Sequence, residues 1–328
     1  MMRFFLLLWL PLRAACATYE PPAPSHEVST VSFDWHDAKR DRDVPVKIYF
    51  PKDLTKPSPV VLFSHGLGGS REGYEYLGRH WAGCGFVSVH LQHLGSDDAV
   101  WKNVDPGERM KSMQRATTSL ANTFNRPRDV SFTIDQLARL NADENTVLHG
   151  RLDLDRIGVA GHSYGGFTAM AIAGQAFGPK RIREMADPRV KAVIQMSAPV
   201  PRGENGADAA YGEIAIPVFH MTGTKDDSPI GDTKAAQRRI PFDHMTSAET
   251  GLLIFNEGDH MIFSGTPRSN SAARENDEKF HRLICAASGA WWDAWLRGNA
   301  AAKEWLTQGE FARALGKEGT VEFRASKK

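Results

Sequence analysis

The stretch RIGVAGHSYGGF, residues 156–167, constrains the fold of this chain more than any other. Its first half is a run of apolar and small residues typical of a buried strand, and its second half continues as a small-residue helix. Ser163 lies between the two halves, next to three glycines, Gly161, Gly165 and Gly166. Strand, tight turn and helix in this order fit the pattern G-x-S-x-G, in which a strained turn exposes the serine hydroxyl and its neighbours accept no Cβ. The stretch therefore predicts a nucleophilic serine at a turn between a strand and a helix.

Strand-like and helical segments alternate along most of the chain. The strand-like segments are 28–35, 44–51, 59–66, 86–90, 156–163, 189–198, 216–223 and 251–260. The helical segments are 71–85, 105–142 with a break at Pro127, 164–178 and 285–298. Strands separated by helices predict an α/β fold with a mostly parallel central sheet and helices on both faces.

The composition is that of a globular protein with a sizeable core. The chain has 328 residues, of which 41% are hydrophobic, and a formal net charge of +1. Because there is no basic run and no interleaving of basic and aromatic residues, we expect no nucleic-acid partner. No interior linker divides the chain, so residues 28–328 are predicted to form a single catalytic domain.

The N-terminal residues have the pattern of a secretory signal peptide. A single arginine precedes the apolar run 4–12, and small residues follow it, so residues 1–17 are predicted to be cleaved on export and the protein to be secreted or periplasmic. A lipid anchor at Cys16 is the less favoured alternative, because Arg13 stands where such a site has an apolar residue. Residues 18–27 are proline-rich and predicted to be an extended linker.

Cysteine and histidine spacings give no sign of a metal or a cofactor. The chain contains no C-x-x-C and no H-E-x-x-H, and the glycines of 64–71 do not follow a dinucleotide or phosphate-binding pattern. We therefore predict neither a metal site nor a cofactor. Cys84 and Cys285 remain after removal of a leader, either as a disulfide or as two buried thiols.

A serine nucleophile needs a base and a group that orients the base, and in this fold the acid and then the histidine follow the serine in the chain. Asp226 is the first carboxylate after the strand-like segment 216–223, and the adjacent Asp227 is the alternative. His260 lies just past the apolar run GLLIF, residues 251–255, of the last strand-like segment. The order along the chain predicts Ser163, Asp226 and His260 as the catalytic residues.

The oxyanion of an acyl-transfer reaction needs backbone N–H donors. One donor is expected from the residue after the nucleophile, Tyr164. The other is expected from the glycine-containing loop SHGLGGSR, residues 64–71, which follows the third strand-like segment. Leu67 is the predicted second donor, with Gly66 and Gly68 as neighbours that would shift the assignment by one residue.

Three stretches together carry a resemblance to a known family. They are SHGLGGSREGYEYLGRHWAGCGF at 64–86, GHSYGG at 161–166 and GDH at 258–260. With them the chain resembles the dienelactone hydrolase-like and platelet-activating-factor acetylhydrolase-like serine esterases of the α/β-hydrolase superfamily, over nearly all of its mature length. The resemblance implies the α/β-hydrolase fold, ester hydrolysis through an acyl-serine, no cofactor, and backbone donors at Leu67 and Tyr164.

The chain departs from this family at two positions. In the acetylhydrolases the acid follows the strand next to the nucleophile strand, but here that region, 195–201, contains Ser197 and no carboxylate. The acid is therefore expected at Asp226, which leaves an acetylhydrolase substrate open. Dienelactone hydrolases proper use a cysteine where this chain has Ser163, which leaves lactone hydrolysis open as well.

The predicted function is hydrolysis of carboxylic esters, with a small-molecule or lipid-like substrate whose pocket is formed by residues 93–114 and 198–215. A peptidase of prolyl-oligopeptidase type is one alternative, although the chain is too short for a propeller domain. A hydrolase of polyesters or bulky natural esters is another. The last alternative is a secreted hydrolase-fold protein that binds a ligand without catalysis. The sequence leaves the oligomeric state open.

Overall fold

The structure is a computed structural model that describes residues 19–178, 182–200, 206–266, 268 and 270–327. The predicted signal peptide and Cys16 lie outside these residues. The segment 19–27 has almost no regular secondary structure, but its first residue is tied to the C-terminal part of the chain, because the Tyr19 hydroxyl donates to Asp293 Oδ2 over 2.8 Å. No helix within the described ranges is long and apolar enough to span a bilayer.

One sheet joins strands from both ends of the described chain. The strands are β1 (Val28–Asp37), β2 (Arg42–Pro51), β3 (Ser58–Ser64), β4 (Val87–Leu91), β5 (Leu152–His162), β6 (Val190–Met196), β7 (Val218–Lys225), β8 (Thr250–Asp259) and β9 (Gly319–Arg324). Their order in the sheet is β1-β2-β4-β3-β5-β6-β7-β8-β9. From β4 to β8 all pairs are parallel, while β1, β2 and β9 pair antiparallel at the two edges. The predicted mostly parallel central sheet is confirmed.

Helices cover both faces of this sheet. The α-helices of the described residues are α1 (Glu75–Gly83), α2 (Ala99–Lys102), α3 (Arg109–Thr118), α4 (Leu120–Ala142), α5 (Tyr164–Ala173), α6 (Ala207–Tyr211), α7 (Ile240–His244), α8 (Ser271–Trp295), α9 (Ala300–Thr307) and α10 (Glu310–Leu315). Successive side chains of a strand point to opposite faces. In β3, Val60 therefore packs in one apolar cluster with residues of α4 and α5, and Val61 in a second cluster with residues of α1, α8 and α9.

Two helix predictions in the first part of the chain were wrong. The predicted break at Pro127 does not occur: α4 passes through it, and the break lies at Ser119, whose hydroxyl caps α4 by accepting from Asn122 N. The buried face of α4 outweighs the cost of an interior proline, because packing supplies most of the stability of such helices. The helix after Ser163 ends at Ala173 rather than at 178, since Gly174 takes a positive φ of 103°.

The C-terminal region differs most from its prediction. Helix α8 begins at Ser271, well before the predicted 285, and α9, α10 and β9 were not predicted at all. These elements complete the apolar layer on one face of the sheet and cover its last parallel strand. Cys84 and Cys285 are free thiols in the structure, which leaves no disulfide between them.

The carboxyl ends of the parallel strands meet at one edge of the sheet, where α/β proteins place their sites. The loop 64–69 follows β3 and Ser163 follows β5. Asp226 comes directly after β7, and His260 directly after β8. Four segments that are far apart in the sequence therefore lie at the same edge of the sheet.

Candidate active site

Ser163 lies on a sharp turn between β5 and α5. Its backbone has φ 55° and ψ −118°, a conformation that residues other than glycine rarely adopt. Its N–H donates to Met196 O over 2.8 Å, and its carbonyl accepts from Phe167 N over 3.1 Å. The turn is therefore held from both sides, and the partly exposed serine faces the edge of the sheet.

The three glycines around Ser163 are explained by the atoms that approach them. A Cβ on Gly161 would lie 2.1 Å from the Gly165 carbonyl oxygen, and a Cβ on Gly165 only 1.8 Å from the Ser64 oxygen. Gly166 has more room, with Ala198 Cβ 3.0 Å from the position of its missing Cβ. Strand, turn, helix and the β3 loop can approach this closely only when these positions carry no side chain.

His260 connects the serine to a carboxylate. Its Nε2 lies 2.9 Å from Ser163 Oγ, and its Nδ1 lies 2.7 Å from Asp226 Oδ1. Because a carboxylate only accepts, Nδ1 carries the proton of the neutral ring, and Nε2 is left with a lone pair facing the serine hydroxyl. His260 is buried at the first position of a short 3₁₀ segment, His260–Phe263.

The two adjacent aspartates have different surroundings. Asp226 is fully buried, and its Oδ2 accepts from Thr222 Oγ1 over 2.7 Å and from Ser197 Oγ over 2.5 Å. Asp227 is exposed and accepts from Lys234 Nζ and Ala235 N, each over 2.9 Å. The structure therefore brings Asp226, and not Asp227, to His260.

Arg238 lies beside the Asp226–His260 pair and is only 2% exposed. Its Nη2 is 3.2 Å from Asp226 Oδ1 and 3.3 Å from His260 Nδ1, while its Nη1 donates to the Ser197 and Ala198 carbonyls. Burial alone would raise the pKa of Asp226. The hydrogen bond from His260, the charge of Arg238 and the bond from Ser197 outweigh burial and hold that pKa below its usual value, so the carboxylate is ionised.

Two backbone N–H groups next to Ser163 are available to a ligand. Tyr164 is the first residue of α5, where an N–H has no partner in the helix. Leu67 follows Gly66, and a Cβ on Gly66 would lie 3.4 Å from Ser163 Cβ. Within the described ranges, the N–H groups of Leu67 and Tyr164 donate to no protein atom. They satisfy the requirement for donors beside a nucleophile.

A buried chain of hydrogen bonds joins the loop 64–69 to the His260 segment. The His162 ring lies 2.9 Å from the His260 carbonyl through Nε2, which must therefore donate, leaving Nδ1 to accept from the Tyr74 hydroxyl over 2.8 Å. The Tyr74 oxygen in turn accepts from Gly66 N over 3.2 Å. Burial and the nearby His260 hold the pKa of His162 well below its usual value, consistent with a neutral ring.

The two segments predicted to form the pocket, 93–114 and 198–215, differ in where their side chains lie. The Trp101 indole donates to the Gly68 carbonyl over 2.7 Å, and a Cβ on Gly68 would meet both Trp101 and Met113, so these side chains lie over the loop that carries Leu67. Tyr211 instead is buried in the apolar core. Met261, directly after His260, is 43% exposed. The segment 93–114 thus contributes to the surroundings of the site.

No group of three or more histidine, cysteine or acidic side chains that could hold a metal ion occurs in the ranges described. The polar groups at the site are instead engaged with one another. This arrangement can accept a proton from Ser163 at His260 Nε2 and offer two N–H groups to an oxygen. It is suited to nucleophilic attack by serine on a carbonyl carbon.

Sequence reasoning missed the residues that hold these groups in place, among them Arg126, Arg238, Tyr74 and His162. For Arg126 a signal was present. It stands on the same face of α4 as Val130, Ile134 and Leu137, so a charged residue occupies a core position. Arg238 gives no such signal, since it lies in a short 3₁₀ helix, Ala235–Arg239, next to the partly exposed Arg239.

The similarities to known proteins agree with this fold. Residues 59–202 match the family model of the alpha/beta hydrolase fold, a range that contains Leu67, Ser163 and Tyr164 and ends before Asp226 and His260. Over 150 residues the chain is 26% identical to a platelet-activating factor acetylhydrolase of Cavia porcellus. This alignment covers 39% of the chain and 34% of the relative, so the chain spans about a third of that protein's length.

The sheet order, the turn at Ser163 and the family match all indicate the same fold. Strands β4, β5 and β6, nearly all of β3, the serine turn and the loop after β3 lie within the matched range. This chain has the α/β-hydrolase fold.

Proposed function

We propose that this protein hydrolyses carboxylic esters through an acyl-serine intermediate, with Ser163, His260 and Asp226 as the catalytic residues. One observation carries the proposal: Ser163 Oγ, the His260 ring and Asp226 Oδ1 are linked by contacts of 2.9 and 2.7 Å. The unpaired N–H groups of Leu67 and Tyr164 support it, because they lie beside the same hydroxyl.

In the first half of the reaction Ser163 Oγ attacks the ester carbonyl carbon as its proton passes to His260 Nε2. The carbonyl electron pair moves to the oxygen, which the N–H groups of Leu67 and Tyr164 stabilise. Asp226 keeps the imidazole oriented and stabilises its cation. The C–O bond to the alcohol then breaks, and His260 returns the proton to the leaving oxygen.

In the second half a water molecule replaces the alcohol. His260 Nε2 takes a proton from the water as its oxygen attacks the acyl carbon, and the second oxyanion occupies the same N–H groups. Collapse breaks the bond to Ser163 Oγ, which receives the proton back. The acid is released and the enzyme returns to its starting state without a cofactor.

The substrate class that fits best is a small or lipid-like ester. Trp101 and Met113 lie over the loop that carries Leu67, and Met261 is exposed directly after His260, so apolar side chains adjoin the reacting groups. An acyl chain placed against them would be removed from water, at a gain of about 0.8 kcal/mol for each buried CH₂. Longer acyl chains are therefore expected to lower KM until the pocket is filled.

The test is turnover of p-nitrophenyl esters from acetate to palmitate by wild-type protein and the Ser163→Ala variant. We expect wild-type turnover and a fall in kcat of about 10⁶-fold in the variant, as for other serine nucleophiles. Equal turnover by both proteins would contradict the proposal. Cleavage of peptide anilides in preference to esters would favour the peptidase alternative, and absence of any turnover would favour a binding protein.

A further inference from the structure

A fully buried arginine lies behind the proposed oxyanion donors. Arg126, on α4, has no exposed surface. Its guanidinium donates through Nε to Thr168 Oγ1 over 2.9 Å, through Nη1 to Ser96 Oγ over 2.8 Å, and through Nη2 to the His65 carbonyl. Every partner is a neutral group.

No carboxylate lies within ion-pair distance of Arg126 in the described part of the chain. Asp129, one turn along α4, acts on it only at longer range, because its oxygens accept from Arg40, Arg42 and His93. Burial lowers the pKa of Arg126 to about 10, with Tyr164 and Asp129 opposing that shift, so the group is still protonated at neutral pH. The protein therefore keeps a positive charge in its interior without a contacting counter-ion.

Such a charge is costly, and a well-packed apolar side chain of similar volume would avoid the cost. Strongly desolvated ionisable groups of this kind concentrate at functional sites. The position of Arg126 suggests a reason for burying its charge, since the guanidinium contacts both segments that supply the proposed oxyanion donors.

The first of these segments is the loop after β3. Arg126 holds the carbonyl of His65, two residues before Leu67. The His65 ring adds to the order of this loop, because its Nδ1 donates to the Gly66 carbonyl over 2.6 Å and its Nε2 accepts from His93 N over 3.0 Å. The cation thus fixes the His65–Gly66 peptide, and the His65 ring fixes the next peptide, Gly66–Leu67, whose N–H is the proposed donor.

The second segment is the start of α5. The guanidinium carbon lies 4.6 Å from the centre of the Tyr164 ring, and its Nε is bonded to Thr168, one turn further along the helix. Thr168 Oγ1 in turn donates to the Tyr164 carbonyl over 3.0 Å. One side chain thereby fixes the loop of Leu67 relative to the helix of Tyr164.

We propose that Arg126 is a positioning residue for the oxyanion hole, which aligns the Leu67 and Tyr164 donors and places a permanent positive charge behind them. The inference rests on the proposed ester hydrolysis. A fixed positive charge in a water-excluded site favours a negative oxygen that exists only in the tetrahedral state. Its contribution therefore belongs to kcat and not to substrate binding.

The test compares Arg126→Met and Arg126→Lys with wild type in ester hydrolysis and in binding of an aliphatic trifluoromethyl ketone. Ser163 adds to this ketone and creates an oxyanion in the same place. For Arg126→Met we expect kcat to fall about 10²-fold, KM to change less than about threefold, and affinity for the ketone to fall by the same factor as kcat. For Arg126→Lys, which keeps the charge but not the planar fork, we expect about a tenfold loss of kcat.

Arg297, which is partly exposed and paired with Asp293, supplies a control for the loss of an arginine away from the site. It also lies over an aromatic ring, 3.8 Å from the centre of Phe86, and donates to the carbonyls of Cys84 and Gly85, away from Ser163. Arg297→Met is expected to lower the melting temperature while kcat stays within about twofold of wild type.

The inference is overturned if a folded Arg126→Met variant retains wild-type kcat, or if KM rises while kcat and ketone binding do not change. Should that variant fail to fold, wild-type kcat in Arg126→Lys overturns the inference instead. Failure of the proposed function looks different, because the wild-type protein would then hydrolyse no ester or Ser163→Ala would remain active.

Discussion

Two buried arginines flank the pair formed by Ser163 and His260, and they differ in their partners. Arg238 contacts a carboxylate, Asp226, as well as two carbonyls, so its charge is compensated where it lies. Arg126 contacts only neutral oxygens and an aromatic ring. On the side of Asp226, the proposed acid side, the charge is thus balanced before a substrate binds. On the side of Leu67 and Tyr164, the proposed oxyanion side, Arg126 has no contacting carboxylate, and in the proposed mechanism its charge acts on the oxyanion of the tetrahedral state.

The difference shows how one edge of a sheet supports two electrostatic tasks. An ionised acid that orients a histidine must stay ionised, and a neighbouring cation maintains that state. A developing oxyanion needs positive charge that has not already been neutralised. The following predictions address the acid side, the oxyanion side and the connection between them.

The largest expected effect is on the acid side. In Asp226→Asn the amide cannot hold the His260 tautomer that presents a lone pair to Ser163, so kcat is expected to fall about 10⁴-fold. The neighbouring Asp227→Asn is the matched control, because Asp227 is exposed and bonded to Lys234, and it is expected to keep kcat within about twofold. Ester turnover measures both, and equal losses in the two variants would contradict the assignment of the acid.

Whether Arg238 compensates the buried charge of Asp226 can be tested by measuring the free energy of unfolding. Arg238→Met leaves Asp226 buried without its cation, which is expected to lower the free energy of unfolding by about 3–5 kcal/mol. The adjacent Arg239→Met removes a partly exposed arginine paired with Asp243 and is expected to cost less than about 1 kcal/mol. Urea unfolding at neutral pH distinguishes the two, and similar costs would show that Arg238 compensates no buried charge.

The same variant has a pH dependence with a definite sign. The pKa of Asp226 is depressed in the folded protein, so its ionised form contributes stability that is present above the unfolded value of about 3.9 and is lost as the pH falls through the folded pKa. Removal of Arg238 raises the folded pKa towards the unfolded value, so the acid-induced loss of stability should be smaller and should be complete at a higher pH. Unfolding midpoints across the acidic range would reveal this shift, and unchanged midpoints would contradict it.

Close packing on the oxyanion side gives the next effect. Gly165→Ala places a methyl group where the Ser64 oxygen lies 1.8 Å away, so the loop after β3 must move, at a cost of about 3 kcal/mol. Gly107→Ala is the matched control, because no atom lies within 4 Å of its added Cβ. Thermal unfolding should separate the variants, and a Gly165→Ala protein as stable and active as wild type would be incompatible with this packing.

The smallest effect concerns the chain that connects the two sides. Tyr74→Phe keeps the ring but leaves Gly66 N and His162 Nδ1 without the hydroxyl, at a cost of about 1–2 kcal/mol. If the loop of Leu67 depends on this chain, kcat falls about tenfold with little change in KM. Tyr19→Phe removes a hydroxyl bonded to Asp293 and should leave kcat unaltered, so an equal effect of both changes would exclude a role for the chain.

Much of the fold was predictable from local patterns. Continuous apolar runs indicate the buried strands β3 and β5. The glycines around Ser163 indicate a turn in which backbone segments pack too closely to leave room for side chains. The path of α4 was not predictable, since an interior proline is normally a helix breaker and only the packed face of the helix overrides it. The elements after 299 were missed because they are short and amphipathic and owe their order to the apolar layer beneath them.

The candidate site follows the same division. Ser163, Asp226 and His260 could be proposed because the fold fixes their order relative to strands that the sequence reveals. The sequence favoured Asp226 but left Asp227 open as an alternative, since the difference between them lies in side-chain contacts that form only in the folded chain, with Ser197 and His260 for one and with Lys234 for the other. Arg238 was missed for the same reason, because its contacts form only when the segments after β6, β7 and β8 come together.

The most direct test of the central claim is covalent labelling with a fluorophosphonate, followed by intact mass spectrometry and peptide mapping. We predict one phosphonyl group per chain on the peptide containing Ser163, at a rate that falls steeply in Asp226→Asn and only slightly in Asp227→Asn, with no label in Ser163→Ala. A label on another residue, or wild-type labelling in the absence of the Asp226 carboxylate, would contradict a nucleophilic serine activated through His260.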